Sequence, residues 1–238
     1  MFGCDSVALI RTSRSNRLIV PALSNSPERA VYLLRQVCLA LHEAHEAGVI
    51  HRDIKPSNIF AARRGGRDDV AKLLDFGLVQ PASTNLSAVP SRLGQIVGTP
   101  LYISPEQALG ERTLEARSDI YSLGAVAYFL LTGRPPFDEG SAVAALIAHA
   151  RDQAAPPSRF RDGIPDDLER VVMRCLAKAP SERYPDAESL ERALAECACA
   201  GKWDKYQANR WWRENGQMAD RSQKNIRHPH PQVGVDKD

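Results

Sequence analysis

Residues 51–58 read His51-Arg52-Asp53-Ile54-Lys55-Pro56-Ser57-Asn58, and Asp75-Phe76-Gly77 follows seventeen residues after Asn58. One short loop therefore carries a proton acceptor, a cation two residues on, and a hard oxygen donor three further. Upstream, Ser26 suits a helix N-cap and Pro27 its first turn. Ala30, Leu34, Val37, Leu41 and Ala44 recur at spacings of three and four, which predicts a buried helix over 27–47. Gly48 fits the position just past its end. Downstream, apolar runs at 58–61 and 70–74 flank Arg63-Arg64-Gly65-Gly66 and predict a hairpin. That hairpin brings Asn58 and Asp75 to one mouth.

Farther out, residues 80–98 are rich in Ser, Pro, Thr and Gly without a period, as in a long loop. Helical patterns occupy 118–131, 141–150, 166–178 and 185–200. Residues 1–26 read as an irregular segment in which Ser and Arg alternate. From 201 the chain reads as a tail with Trp203, Trp211 and Trp212, which are expected to cover the last helix. Its end, with His228-Pro229-His230-Pro231, reads as disordered.

Composition narrows the function classes. Of 238 residues 43% are hydrophobic, enough for a buried core, and the net charge is only +2. Such a balance argues against a chain built to grip nucleic acid or an anionic membrane. The longest apolar stretch, 123–131, falls far short of the about 20 residues a bilayer span needs. No membrane span is expected. Five cysteines make an odd set with no paired framework, so a reducing, cytoplasmic setting is expected. Cys197 and Cys199 read as small helix residues rather than metal ligands.

Gly98-Thr99-Pro100 and Ser104-Pro105-Glu106 complete an ordered series with the first two motifs. On these residues the chain resembles the protein kinase family, and specifically the eukaryotic-like bacterial serine/threonine kinases, from about residue 27 to 200. The resemblance implies phosphoryl transfer from Mg-ATP to a serine or threonine hydroxyl of a protein substrate, a reaction that needs positioning and charge neutralisation above all. Asp53 then accepts and orients the hydroxyl proton, and Lys55 sets a positive charge by the transferring group. In the family, Lys55 also marks Ser/Thr specificity. Asn58 and Asp75 suit Mg²⁺, and Gly77 permits the turn after Phe76. By resemblance, His51 is structural, Thr99 hydrogen-bonds Asp53 and Lys55, and residues 75–106 form an activation segment. A phosphate on Ser83, Thr84, Ser87 or Ser91 would pair with Arg52. Asp119, in Ser118-Asp119-Ile120-Tyr121, resembles the buried helix aspartate that holds the catalytic-loop backbone. Glu106 and Arg183 resemble a buried ion pair. Ser104 departs from the family, which usually has alanine there.

The family's small lobe is not legible. It needs a glycine-rich loop, a strand lysine and a helix glutamate. The 15 glycines include no pair two apart, the first lysine is Lys55, and the first glutamate, Glu28, lies in the helix before the catalytic loop. Five strands, a helix and their connections need about 65 residues, and 26 precede Pro27. The expected fold is mainly α: a kinase-like large lobe over 27–200 with a small hairpin at the catalytic loop and no small β lobe. The former cleft surface near Ile59, Leu73 and Leu74 is expected to be more exposed than in a whole kinase. An upstream or separate small lobe is an expected partner. The alternative function is a pseudokinase-like module that binds proteins without catalysis.

Overall fold

A computed structural model describes residues 17–19, 26–74, 100–138 and 140–225; for 17–19 and 216–225 it describes the backbone alone. The elements are β1 (Arg17–Ile19), α1 (Pro27–Glu46), β2 (Ile59–Arg64), β3 (Arg67–Leu73), α2 (Pro105–Ala108) and α3 (Ala116–Thr132), followed by α4 (Ala142–Arg151), α5 (Asp166–Cys175), α6 (Ala187–Ala195) and α7 (Lys205–Asn225). The fold is mainly α. Its antiparallel sheet runs β1-β2-β3, pairing Leu18 with Ala61 and Ala61 with Ala71.

Each long element follows from its sequence. The Ser26 hydroxyl accepts from the Arg29 backbone N–H and Pro27 opens α1, so the helix starts where its apolar stripe starts. That stripe buries Ala30, Val31, Leu34, Val37 and Leu41. Helix α3 is buried on almost every side, with Ile120, Leu123, Val126 and Leu131 in the core. Gly124 permits its close crossing with α5: a Cβ there would overlap that of Cys175. Gly133 ends α3 at φ 77°, the left-handed cap that glycine adopts freely. Asp186 caps α6 by accepting from the Ser189 N–H at 2.6 Å, so that helix begins two residues after Pro185. Cys38, Cys175, Cys197 and Cys199 are buried free thiols.

Three features differ from the sequence reading. Within the segment read as irregular, Arg17–Ile19 pair with β2 and extend the hairpin to three strands. Helix α6 ends at Ala195, so Cys197 and Cys199 lie past its end rather than within it; Ile59 is buried in the core beside Ile54, and Leu73 and Leu74 are half-buried. The tail carries α7, and the indoles of Trp203 and Trp212 reach Asp69 on β3 rather than the last core helix, α6. Residues 228–231 lie outside the described residues. Among the described residues, no helix is long and apolar enough to cross a membrane.

Candidate active site

The loop 51–58 hangs from α3 by its backbone. Asp119, buried in the first turn of α3, accepts from the N–H of His51 and of Arg52, each at 2.8 Å. His45, at the end of α1, meets the same carboxylate at 2.8 Å through Nε2. Arg52 has φ 66°, a conformation that costs a non-glycine residue about 1–3 kcal/mol unless its surroundings hold it. They do: its N–H goes to Asp119, and its carbonyl accepts from Gln107 Nε2 at 2.8 Å. Gln107 is itself fixed in a capping box with Ser104.

His51 is fully buried and links the loop to the hairpin. Its Nδ1 accepts from the Asp53 N–H at 3.3 Å, which assigns the proton to Nε2, 2.9 Å from the Leu74 carbonyl. Leu74 also donates its N–H to the Asn58 carbonyl at 2.8 Å. The backbone entering β2 and the backbone leaving β3 are thus tied together one residue before Asp75.

Three candidate side chains meet at this junction. Asn58 Nδ2 donates to the Asp53 carbonyl at 2.8 Å and to Asp53 Oδ2 at 3.1 Å. Lys55 Nζ donates to the same Oδ2 at 2.7 Å. The side chains of Lys55 and Asp53 are 41% and 34% exposed, so this pair adds little to stability and serves to orient. Among the described residues, Asp53 Oδ1 and Asn58 Oδ1 have no hydrogen-bond partner. Each is an open hard acceptor: one suits a hydroxyl proton, the other a divalent cation.

Below the loop, Arg183 and Glu106 form a buried two-pronged pair at 2.8 and 2.9 Å. Ser118 Oγ donates to Glu106 at 2.6 Å. Burial pushes the Glu106 carboxyl up, but the hydrogen bonds from Arg183 and Ser118 outweigh it and hold its pKa below the usual value.

The structure therefore brings Asp53, Lys55 and Asn58 together, sets His51, Arg52 and Asp119 behind them, and pairs Glu106 with Arg183. Asp75, Phe76, Gly77 and Thr99, with Ser83, Thr84, Ser87 and Ser91, lie outside the described residues. Sequence reasoning missed His45 and Gln107. The Ser104-x-x-Gln107 spacing is a capping signal that could have found Gln107; His45 carries no such signal.

A family model described as the protein kinase domain matches residues 8–194. The chain is similar to serine/threonine-protein kinase Pkn1 of Myxococcus xanthus, 44% identical over 164 residues, which are 69% of this chain and 23% of that protein. It is similar to serine/threonine-protein kinase PknB of Mycolicibacterium smegmatis, 40% identical over 169 residues, covering 71% and 26%. It is also similar to serine/threonine-protein kinase pkn3 of Myxococcus xanthus, 42% identical, covering 70% and 31%. The chain thus aligns with between 23% and 31% of the length of these relatives.

Proposed function

This chain belongs to the protein kinase family, and we propose that it serves phosphoryl transfer from Mg-ATP to a serine or threonine hydroxyl of a protein. The observation that carries the reading is the pair of oxygens without a hydrogen-bond partner among the described residues, Asp53 Oδ1 and Asn58 Oδ1, fixed to each other through Asp53 Oδ2 and Asn58 Nδ2. In this reading Asp53 Oδ1 accepts the substrate hydroxyl and aligns its oxygen for in-line attack. Lys55, held against Asp53, offsets negative charge on the transferring group. Asn58 Oδ1, with the Asp75 carboxylate from the residue after Leu74, would hold Mg²⁺. The metal would neutralise phosphate charge. Asp119 and Gln107 act as positioning residues, since they hold the backbone on which Asp53 stands.

The sequence holds no G-x-G-x-x-G and no lysine before Lys55, so contacts to the nucleotide's adenine and outer phosphates are assigned to a small lobe. A small lobe, in cis upstream or in trans, belongs to the proposal. Without it, near-attack geometry is rarely populated. A cytoplasmic setting belongs to it too, supported by the four buried free thiols.

The test is transfer of label from γ-labelled ATP. The 238 residues alone should show no measurable autophosphorylation. Joined to, or mixed with, a kinase small lobe, they should label serine or threonine in a protein. Labelling by the chain alone, lost in Asp53→Asn, would overturn the need for a second lobe. Absence of labelling in every joined form would favour the non-catalytic binding module.

A further inference from the structure

The family match ends at residue 194, yet a buried charge centre inside the matched region is completed from beyond it. Arg29 on α1 and Asp69 on β3 are 1% and 0% exposed and form a two-pronged pair, Nε to Oδ2 at 2.8 Å and Nη2 to Oδ1 at 2.6 Å. Asp69 accepts two more donors, both indoles: Trp203 Nε1 at 2.9 Å and Trp212 Nε1 at 2.7 Å. The Arg29 guanidinium carbon lies 3.5 Å from the centroid of the Trp211 ring. Beside them, Asn209 Nδ2 donates to Asp68 at 3.0 Å, and Arg63 lies over the Trp212 ring. A desolvated charge pair is stable only when its remaining valences are met. Here two of the four donors to the carboxylate, and the aromatic cover of the cation, come from residues 203–212.

Asp69 is also strained and well connected. Its φ is 55°, and its carbonyl accepts from Gln36 Nε2 at 3.0 Å, while Gln36 Oε1 accepts from the Ala71 N–H. From Ala71 the strand runs to Leu74, whose carbonyl meets His51 and whose N–H meets Asn58.

We propose that residues 203–212 are an intramolecular strap, seated in a receptor site made by Arg29, Arg63, Asp68 and Asp69, and that its seating positions the hairpin that carries the candidate metal ligands. The recognition chemistry is indole N–H donation to a buried carboxylate combined with ring cover of a guanidinium. Only the description of Asn58 and Asp75 as metal ligands rests on the proposed function; the coupling of strap to hairpin does not.

The test uses the full 238-residue chain without nucleotide, so its outcome is independent of phosphoryl transfer. Trp203→Phe with Trp212→Phe keeps a six-membered aromatic ring at each position and removes both donors with the pyrrole half of each indole. Amide hydrogen exchange is then followed well below the melting temperature. Exchange at residues 59–74 and at Asn58 should rise at least about tenfold, with α3 and α5 within about twofold of the unaltered chain. Equal acceleration in the hairpin and in α3 and α5, or none anywhere, would overturn the proposal. Should the double variant not fold, Trp203→Phe alone reads the same contrast. All three tryptophans of the chain lie at 203–212, so intrinsic emission gives a second readout. It should shift to the red in Asn209→Ala if the strap loosens with loss of the Asp68 contact; an unchanged spectrum together with unchanged hairpin exchange in that variant would count against the receptor site.

Discussion

Two buried arginine–carboxylate pairs anchor this fold, Arg183 with Glu106 and Arg29 with Asp69, and they are closed in different ways. Arg183 spends its other donors on backbone carbonyls, those of Ala177, Lys178 and Arg117, while Ser118 completes Glu106. Arg29 has a buried Nη1 without a hydrogen-bond partner among the described residues, and its carboxylate is completed by two indoles. Burial pulls the Arg29 pKa below its ordinary value, against the raising effect of Asp69. A guanidinium closed by backbone is indifferent to side chains elsewhere. One closed by side chains from a distant segment ties its own element to that segment, here β3 to the tail. The first pair stabilises the floor of the site; the second links the site's hairpin to residues outside the matched domain.

The contrast can be broken most forcefully at Arg183. Arg183→Ala leaves Glu106 buried without its cation and takes the Arg183 donors from the Ala177 and Lys178 carbonyls, so unfolding in denaturant should show a loss of about 3–5 kcal/mol. A loss below about 1 kcal/mol would mean that the pair is not structural. A sharp loss of activity at unchanged melting temperature would likewise contradict this role.

Acid should reach the Arg183 side through His149, which is fully buried and hydrogen-bonded to Tyr121, the ring beneath Arg183. Burial lowers the His149 pKa to about 4. Between its ordinary value of 6.5 and about 4 the unfolded chain binds a proton that the folded chain refuses. Stability is therefore fully present above 6.5, declines as pH falls, and loses up to about 3 kcal/mol by pH 4. Melting curves across that range should show the slope in the unaltered chain and lose it in His149→Gln. At lower pH, protonation of Glu106 through its depressed pKa adds a second decline.

On the other side, Asp69→Asn leaves Arg29 buried without its counter-ion and turns an amide NH2 onto two of the four donors, and should cost about 3 kcal/mol. Its signature is a red shift of tryptophan emission, which Arg183→Ala should not give below its melting temperature. The smallest effect belongs to Ser104→Ala. It removes the α2 cap for about 1 kcal/mol and should leave the Gln107 contact to Arg52 in place, as seen by unchanged exchange at residues 51–53.

The two regions also differ in how much of them a sequence reveals. The Glu106 side is local and periodic: the 51–58 loop and the run of α3 are legible because neighbours in sequence carry the pattern. The Glu106–Arg183 pair came from resemblance to a known family, since 77 residues separate its partners. The Arg29 side has no such trace. Trp203 lies 134 residues from Asp69, and no spacing in the sequence links the two. Arg29 falls between apolar positions of α1 and would be assigned to its wet face. Strand β1 was missed because three residues followed by Pro21 carry no alternation. In the candidate site, Asp53, Lys55 and Asn58 were legible as a motif, whereas His45 was not, because its partner Asp119 is 74 residues away.

The most direct measurement is kcat for labelling of a protein substrate by the joined two-lobe form, with Asp53→Asn beside the unaltered residue. The open Oδ1 of Asp53 predicts a fall of about 10²–10⁴-fold in kcat with the KM for ATP nearly unchanged. Equal kcat in the two would contradict a catalytic role for Asp53 and, with it, the reading of residues 51–58 as the active loop.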